Sequence, residues 1–238
     1  MAKRKTTRND KIQDGRQRTP RYQKTVEVVP KTQAQDHYIK AINSFATTIG
    51  IGSAGTGKSY IPLAMAARDF VEGECKKIII LRPLVAVAGK ELGFMKGDME
   101  EKMAPWAAAP VENLKKILGK PKVEYMIRHE EIMARPLGYE RGVTYDDAFV
   151  ILDEAQNATE PELEMFLTRM GKNCRVVITG DHRQSDLNGE GWLEPLVDMC
   201  EDQDLPVGVV YFDSDDGVRS EACTMWVKAF EKNRPEDG

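Results

Sequence analysis

Short apolar blocks recur along the chain at residues 45–51, 77–81, 148–152, 175–179 and 207–212, each of strand length and rich in β-branched residues. Between them apolar side chains return every three or four positions, over 59–71, 161–170, 193–200 and 221–230, the spacing of one helical face. A further helical pattern covers 98–119, where Pro105 and Pro110 are expected to break it into pieces. Alternation of this kind predicts repeated βα units and an α/β fold built on a mostly parallel sheet. Val150, Ile151 and Leu152 are apolar without alternation, as in a strand covered on both faces, and this block is expected in the middle of the sheet.

Composition narrows the class. A chain of 238 residues with 41% hydrophobic and 30% charged residues suits one soluble domain with appendages. No apolar run approaches the roughly 18 to 20 residues of a membrane helix. Residues 1–8 are basic with no apolar stretch behind them, so no secretory signal and no membrane partner are expected, and the protein is placed in the cytoplasm. Cys75, Cys174, Cys200 and Cys223 form no C-x-x-C pair, and His37, His129 and His182 form no ligand-spaced cluster, which argues against a disulfide framework and a structural zinc site.

Charge is informative by position. Residues 1–31 hold ten Lys or Arg against three acidic residues, a surplus of seven, whereas the formal net charge of the whole chain is −4. A basic end on an acidic body suggests a polyanionic partner for that end; a solubilising disordered leader explains it equally well. The organisation read from this is a basic leader over 1–30, a folded unit over 31–232 and a tail over 233–238.

Three segments carry candidate chemistry. Gly52, Ser53, Ala54, Gly55, Thr56, Gly57, Lys58 and Ser59 fit the G-x-x-x-x-G-K-[ST] pattern, after a predicted strand and before a predicted helix. Glycines there let backbone N–H groups converge on phosphate, the helix N-terminus adds positive potential, Lys58 reaches the β- and γ-phosphates, and the Ser59 hydroxyl can hold Mg²⁺. Asp153 and Glu154 end the central apolar block, Asp153 as a metal-holding carboxylate and Glu154 as a base for an attacking water. The third segment, Thr179-Gly180-Asp181-His182-Arg183-Gln184, places a neutral amide at Gln184 that can bond both a γ-phosphate and the water, with Thr179 and Asp181 as helpers.

In this order and spacing, the phosphate loop, the Asp-Glu-Ala-Gln strand end and the Thr-Gly-Asp-x-x-Gln turn resemble the PhoH family of ATPases, from about Lys31 to Phe230. Arg82-Pro83, Ala88-Gly89, Leu92-Gly93-Phe94 and Arg141-Gly142 belong to the same match. The resemblance implies a P-loop NTPase with a RecA-like sheet and helices on both faces, similar to the first motor domain of superfamily 1 helicases. It implies ATP and Mg²⁺ as cofactors, RNA or single-stranded DNA as partner, and homo-oligomeric rings with a hexamer favoured. It also places an adenine-reading amide at Gln35, with Gln33 as competitor, and an arginine finger at Arg219, which could instead pair with Asp213, Asp215 or Asp216. Ser220, where a His is usual, and Ser59, where Thr is commoner, depart from the family pattern.

The segment 82–103 is long for a βα connection. Its Arg82, Lys90, Lys96, Lys102 and Phe94 could meet a nucleic-acid strand, and the segment could equally pack against a neighbouring subunit. Three activities follow from these residues: an ATP-driven motor on nucleic acid, an ATP-ordered binding module with little turnover, and a small-molecule kinase. The kinase would need a mobile Arg-rich lid, and no Arg cluster lies between the second and third apolar blocks. No nuclease domain is expected within the chain.

Overall fold

β1 (Thr47–Gly52), β2 (Lys77–Arg82), β3 (Ile132–Pro136), β4 (Ala148–Leu152), β5 (Arg175–Gly180) and β6 (Val207–Phe212) form one sheet in the order β3-β2-β4-β5-β1-β6, with every pair parallel. This computed structural model describes residues 25–84, 99–181, 184–187, 191–218, 223, 225, 226 and 229; the side chains of 99–106 and Ser214 lie outside that description.

Each face of the sheet carries helices, as parallel connections require. On one face α1 (Gln33–Ser44), α2 (Tyr60–Glu72), α3 (Met99–Leu118) and α4 (Lys120–Arg128) cover Ile78, Ile80, Phe149, Ile151 and Val177. On the other, α5 (Glu160–Leu167) and α6 (Leu193–Asp202) cover Ile49, Ile79, Val150, Leu152 and Ile178. All five residues of β4 are buried and it lies between β2 and β5, the central place expected for an unalternating apolar run.

Three elements were not anticipated from pattern. β3 is a five-residue edge strand, Ile-Met-Ala-Arg-Pro, buried only at its two ends, so it carries neither alternation nor a continuous apolar run. In α1 the fully buried apolar residues are Tyr38 and Ile42, with Ala34 and Ile39 packed partly buried on the same cluster and Gln35 as a third buried residue, and Thr32 caps the helix by accepting from the Gln35 N–H. α4 is short and polar, with Pro121 in its first turn. The proline break expected in 98–119 is corrected: α3 runs unbroken over 20 residues. Each proline removes one helical hydrogen bond, but Leu114 is fully buried and Val111, Ile117 and Leu118 pack on the same cluster, so apolar contact offsets the loss. In the stretch 221–230 the described positions Cys223, Met225, Trp226 and Ala229 are helical.

Parallel strands aim their carboxyl ends the same way. Gly52, Arg82, Leu152, Gly180 and Phe212 therefore meet along one edge, the side on which open α/β sheets bind ligands. Because β4, β5 and β1 are consecutive in the sheet, the three segments singled out by sequence become neighbours. Among the described residues no helix is long and apolar enough to cross a membrane.

Candidate nucleotide-binding site

Between β1 and α2 the loop turns on three glycines with positive φ, Gly52 at 135°, Gly55 at 86° and Gly57 at 93°. At Gly52 the constraint is also spatial, since a Cβ would lie 1.9 Å from the Phe212 carbonyl oxygen. Gly52→Ala is expected to cost on the order of 3 kcal/mol, from unfavourable φ and a displaced β6. Urea denaturation measures this, and an unchanged midpoint would mean the loop relaxes freely.

The loop is held on several sides. The Ser53 N–H donates to the Phe212 carbonyl at 3.4 Å, and Val218 N–H to the Gly55 carbonyl at 3.1 Å, tying the chain beyond β6 to the glycine turn. Lys58 is buried, and its Nζ donates to the Ser53 carbonyl at 2.6 Å, so the ammonium folds back over its own loop. Gln35 is buried as well. Its Nε2 donates to the Thr56 carbonyl at 2.8 Å, and its Oε1 accepts from the Lys31 N–H at 2.8 Å. A carboxamide has a second N–H and a second lone pair, so these bonds clamp the loop without exhausting the group. Gln33, the competitor, is exposed.

Across the cleft, the Ser59 Oγ–H donates to Asp153 Oδ1 at 2.7 Å, joining groups 94 residues apart. Thr179 Oγ1, fully buried on β5, donates to the same oxygen at 2.7 Å. Arg82, the last residue of β2, donates to Oδ2 from Nε at 3.1 Å and from a terminal nitrogen. Burial by itself would raise the Asp153 carboxyl. The Arg82 charge and the bonds from Thr179, Arg82 and Ser59 outweigh that and hold it below the ordinary carboxylate range.

Glu154 follows with φ 58°, a left-handed conformation that costs a non-glycine residue on the order of 1 kcal/mol or more. That turn lifts its side chain, 48% exposed, out of the strand end. Glu154 Oε2 accepts from Gln156 Nε2 at 2.8 Å, while Oε1 lies 3.9 Å from Arg82. Gln156 is buried and its Oε1 accepts the Asp181 N–H at 3.1 Å, so one amide connects the β4 turn to the end of β5. Gln184 is exposed, and its Nε2 donates to Asp181 Oδ2 at 2.8 Å.

The candidates from β1, β4 and β5 thus lie around one edge of the sheet. Arg82 and Gln156, for which no role at this edge was expected, join them. Arg82 is also one of the cations expected to meet a nucleic-acid strand, and its guanidinium turns onto Asp153. Arg219, His182, Arg183, Lys90, Phe94 and Lys96 lie outside the described residues, as does the side chain of Lys102.

A hydroxyl and a carboxylate are hard oxygen donors of the kind Mg²⁺ takes, and that ion commonly completes its shell with water and phosphate oxygens. Ser59 donates its proton to Asp153 and so keeps its lone pairs for a cation. The glycine turn and the Lys58 ammonium suit phosphate. On these grounds the residues fit a phosphate group with Mg²⁺.

A model of the family described as PhoH-like protein matches residues 27–231. Protein PhoH of Escherichia coli (strain K12) is 39% identical over 210 residues, covering 87% of this chain and 59% of that protein. The PhoH-like protein of Bacillus subtilis (strain 168) is 38% identical over 204 residues, 85% of this chain and 63% of the relative. The PhoH-like protein of Synechocystis sp. (strain ATCC 27184 / PCC 6803 / Kazusa) is 36% identical over 205 residues, 85% and 62%. This chain spans about three fifths of the length of these relatives. With a parallel α/β sheet, a glycine-rich loop on its carboxyl edge and a family match across most of its length, the chain belongs to the PhoH family.

Proposed function

We propose that the chain is a Mg²⁺-dependent ATP-binding and ATP-hydrolysing protein that couples hydrolysis to binding or unwinding of RNA or single-stranded nucleic acid. The observation that carries this reading is the Ser59–Asp153 hydrogen bond, which closes the phosphate loop onto the acidic end of β4 with Lys58 and Glu154 on either side. In this reading the loop N–H groups of 52–59 and the Lys58 ammonium bind phosphate oxygens, and Ser59 and Asp153 hold the cation, Asp153 through its water shell. When bound, Mg²⁺ neutralises charge on the phosphate oxygens.

Glu154 accepts a proton from the attacking water. Its Oε2 is oriented by Gln156, which leaves Oε1 for that water. Gln184 bonds the water or the γ-phosphate after leaving Asp181, Gln35 reads adenine with its uncommitted N–H and lone pair, and Arg219 supplies positive charge from its own or a neighbouring subunit.

The nucleic-acid part of the reading is supported by the basic surplus of residues 1–31. A single motor core offers one face to a strand, so movement along it would need neighbouring copies, and a homo-oligomeric ring, with six subunits favoured, follows. We assign the ATPase unit to 31–232, with 1–30 and 233–238 as leader and tail, and a cytoplasmic location.

Phosphate release from Mg²⁺-ATP, measured with and without single-stranded RNA and DNA over a salt series, tests the proposal. Release should rise with nucleic acid, and the stimulation should fall steeply with salt because phosphate-backbone binding does. Release that no nucleic acid changes at any salt concentration would remove the coupling. A second reading, an ATP-ordered binding module with little turnover, is favoured by the Arg82 guanidinium lying on Asp153. Sizing with and without Mg²⁺-ATP separates it from the motor when combined with the release assay.

A further inference from the structure

The hydrogen-bond capacity of Asp153 is full. A carboxylate offers about four lone-pair sites. Here Oδ1 accepts from Ser59 Oγ and Thr179 Oγ1, each at 2.7 Å, and Oδ2 accepts twice from Arg82. A hydrated cation at Ser59 can reach Asp153 only by taking the place of one of these donors. Thr179 is fully buried in a strand with neighbours on both sides, and Ser59 immediately precedes α2. Both hydroxyls sit on short side chains fixed by packed backbone. The Arg82 side chain is long, 23% exposed and attached at the end of β2, so it is the donor that can leave.

The backbone keeps Arg82 within reach. β2 and β4 are paired with Leu81 opposite Leu152, and the Asp153 N–H donates to the Leu81 carbonyl at 2.9 Å. The guanidinium also lies 3.9 Å from Glu154 Oε1, so one cation faces both carboxylates assigned to the metal and the water.

We infer that Arg82 is an internal counter-cation that competes with Mg²⁺ for Asp153, so that loading of the metal-bound nucleotide requires the guanidinium to give up that carboxylate. The inference rests on the nucleotide-site reading above. Two like charges repel, and a dication seated on Ser59 raises the cost of holding a guanidinium on the adjacent oxygen. Nucleotide state is thereby transmitted to the end of β2. Arg82 on Asp153 lowers the apparent affinity of the site for the metal, while nucleotide without metal meets no such competition.

The test uses the full chain with a fluorescent ATP analogue, titrated in EDTA and over a Mg²⁺ series, for wild type, Arg82→Gln and Arg82→Lys. In Arg82→Gln the Mg²⁺ concentration giving half of the metal-dependent gain in binding should fall by about tenfold, the scale of one partly exposed charge-assisted pair. Affinity in EDTA should not rise, because the competition concerns the metal alone and the loss of a positive charge beside the phosphates opposes anion binding. Arg82→Lys keeps the charge but loses the planar fork, so it should fall between the two. It also carries the test if Arg82→Gln does not fold. A half-saturating Mg²⁺ concentration that is unchanged or raised in a folded variant overturns the inference, and a raised one would make Arg82 a phosphate-binding residue. Wild-type protein that binds no nucleotide at any Mg²⁺ concentration would remove the underlying site reading, a result distinct from wild-type binding that Arg82 variants leave unaltered.

Discussion

Lys58→Ala removes detectable Mg²⁺-ATP binding and, with it, phosphate release. The side chain is buried and its ammonium already sits on the loop, held by the Ser53 carbonyl. A bound triphosphate would take several charge-assisted bonds from that nitrogen, each of roughly 1.5 to 3 kcal/mol. Losing two of them weakens binding by at least about a hundredfold. The fold should survive, because the aliphatic stem ends in a loop and contributes to neither apolar cluster. Fluorescent-nucleotide titration checks the binding, and far-ultraviolet circular dichroism checks the fold. Undiminished binding in the variant would place phosphate away from this loop.

Glu154→Gln should behave in the opposite way, retaining ATP while turning it over about 10² to 10⁴ times more slowly. The amide has nearly the shape of the acid and its oxygen can still accept from Gln156 Nε2, but it cannot take a proton from water. The side chain is half exposed, so stability should change by less than about 0.5 kcal/mol. Single-turnover hydrolysis beside equilibrium binding separates the two effects. Equal turnover in variant and wild type would remove the base assignment and favour the ATP-ordered binding module.

The site was legible where chemistry dictates both residue type and backbone. A turn that brings N–H groups onto phosphate needs glycines at left-handed positions, so 52–59 announces itself in sequence, and Gly52, Gly55 and Gly57 take those conformations. Asp153 and Glu154 could be found because an acidic pair interrupts an apolar block where a strand must end. Arg82 and Gln156 could not. Each acts through a side-chain bond to a residue on another segment or across a turn, and nothing in a single chain tells an Arg at a strand end that turns inward from one that faces solvent. Gln156 belongs to the Asp-Glu-Ala-Gln string at the end of β4, and its burial is what marks it. The sheet followed a similar division. β4 and β5 declare themselves by unbroken apolar runs, whereas β3 is short and half covered, and α1 has two fully buried apolar residues and a cap.

Most directly, a crystal structure of the chain with Mg²⁺ and a non-hydrolysable ATP analogue would test whether one terminal phosphoryl group is what these segments surround. The expected density places the γ-phosphate against Lys58, the ion on Ser59 with Asp153 behind its waters, and Glu154 and Gln184 facing the side from which water attacks. Nucleotide bound elsewhere on the molecule, or bound at the glycine loop with Asp153 and Glu154 turned away from it, would contradict the proposal.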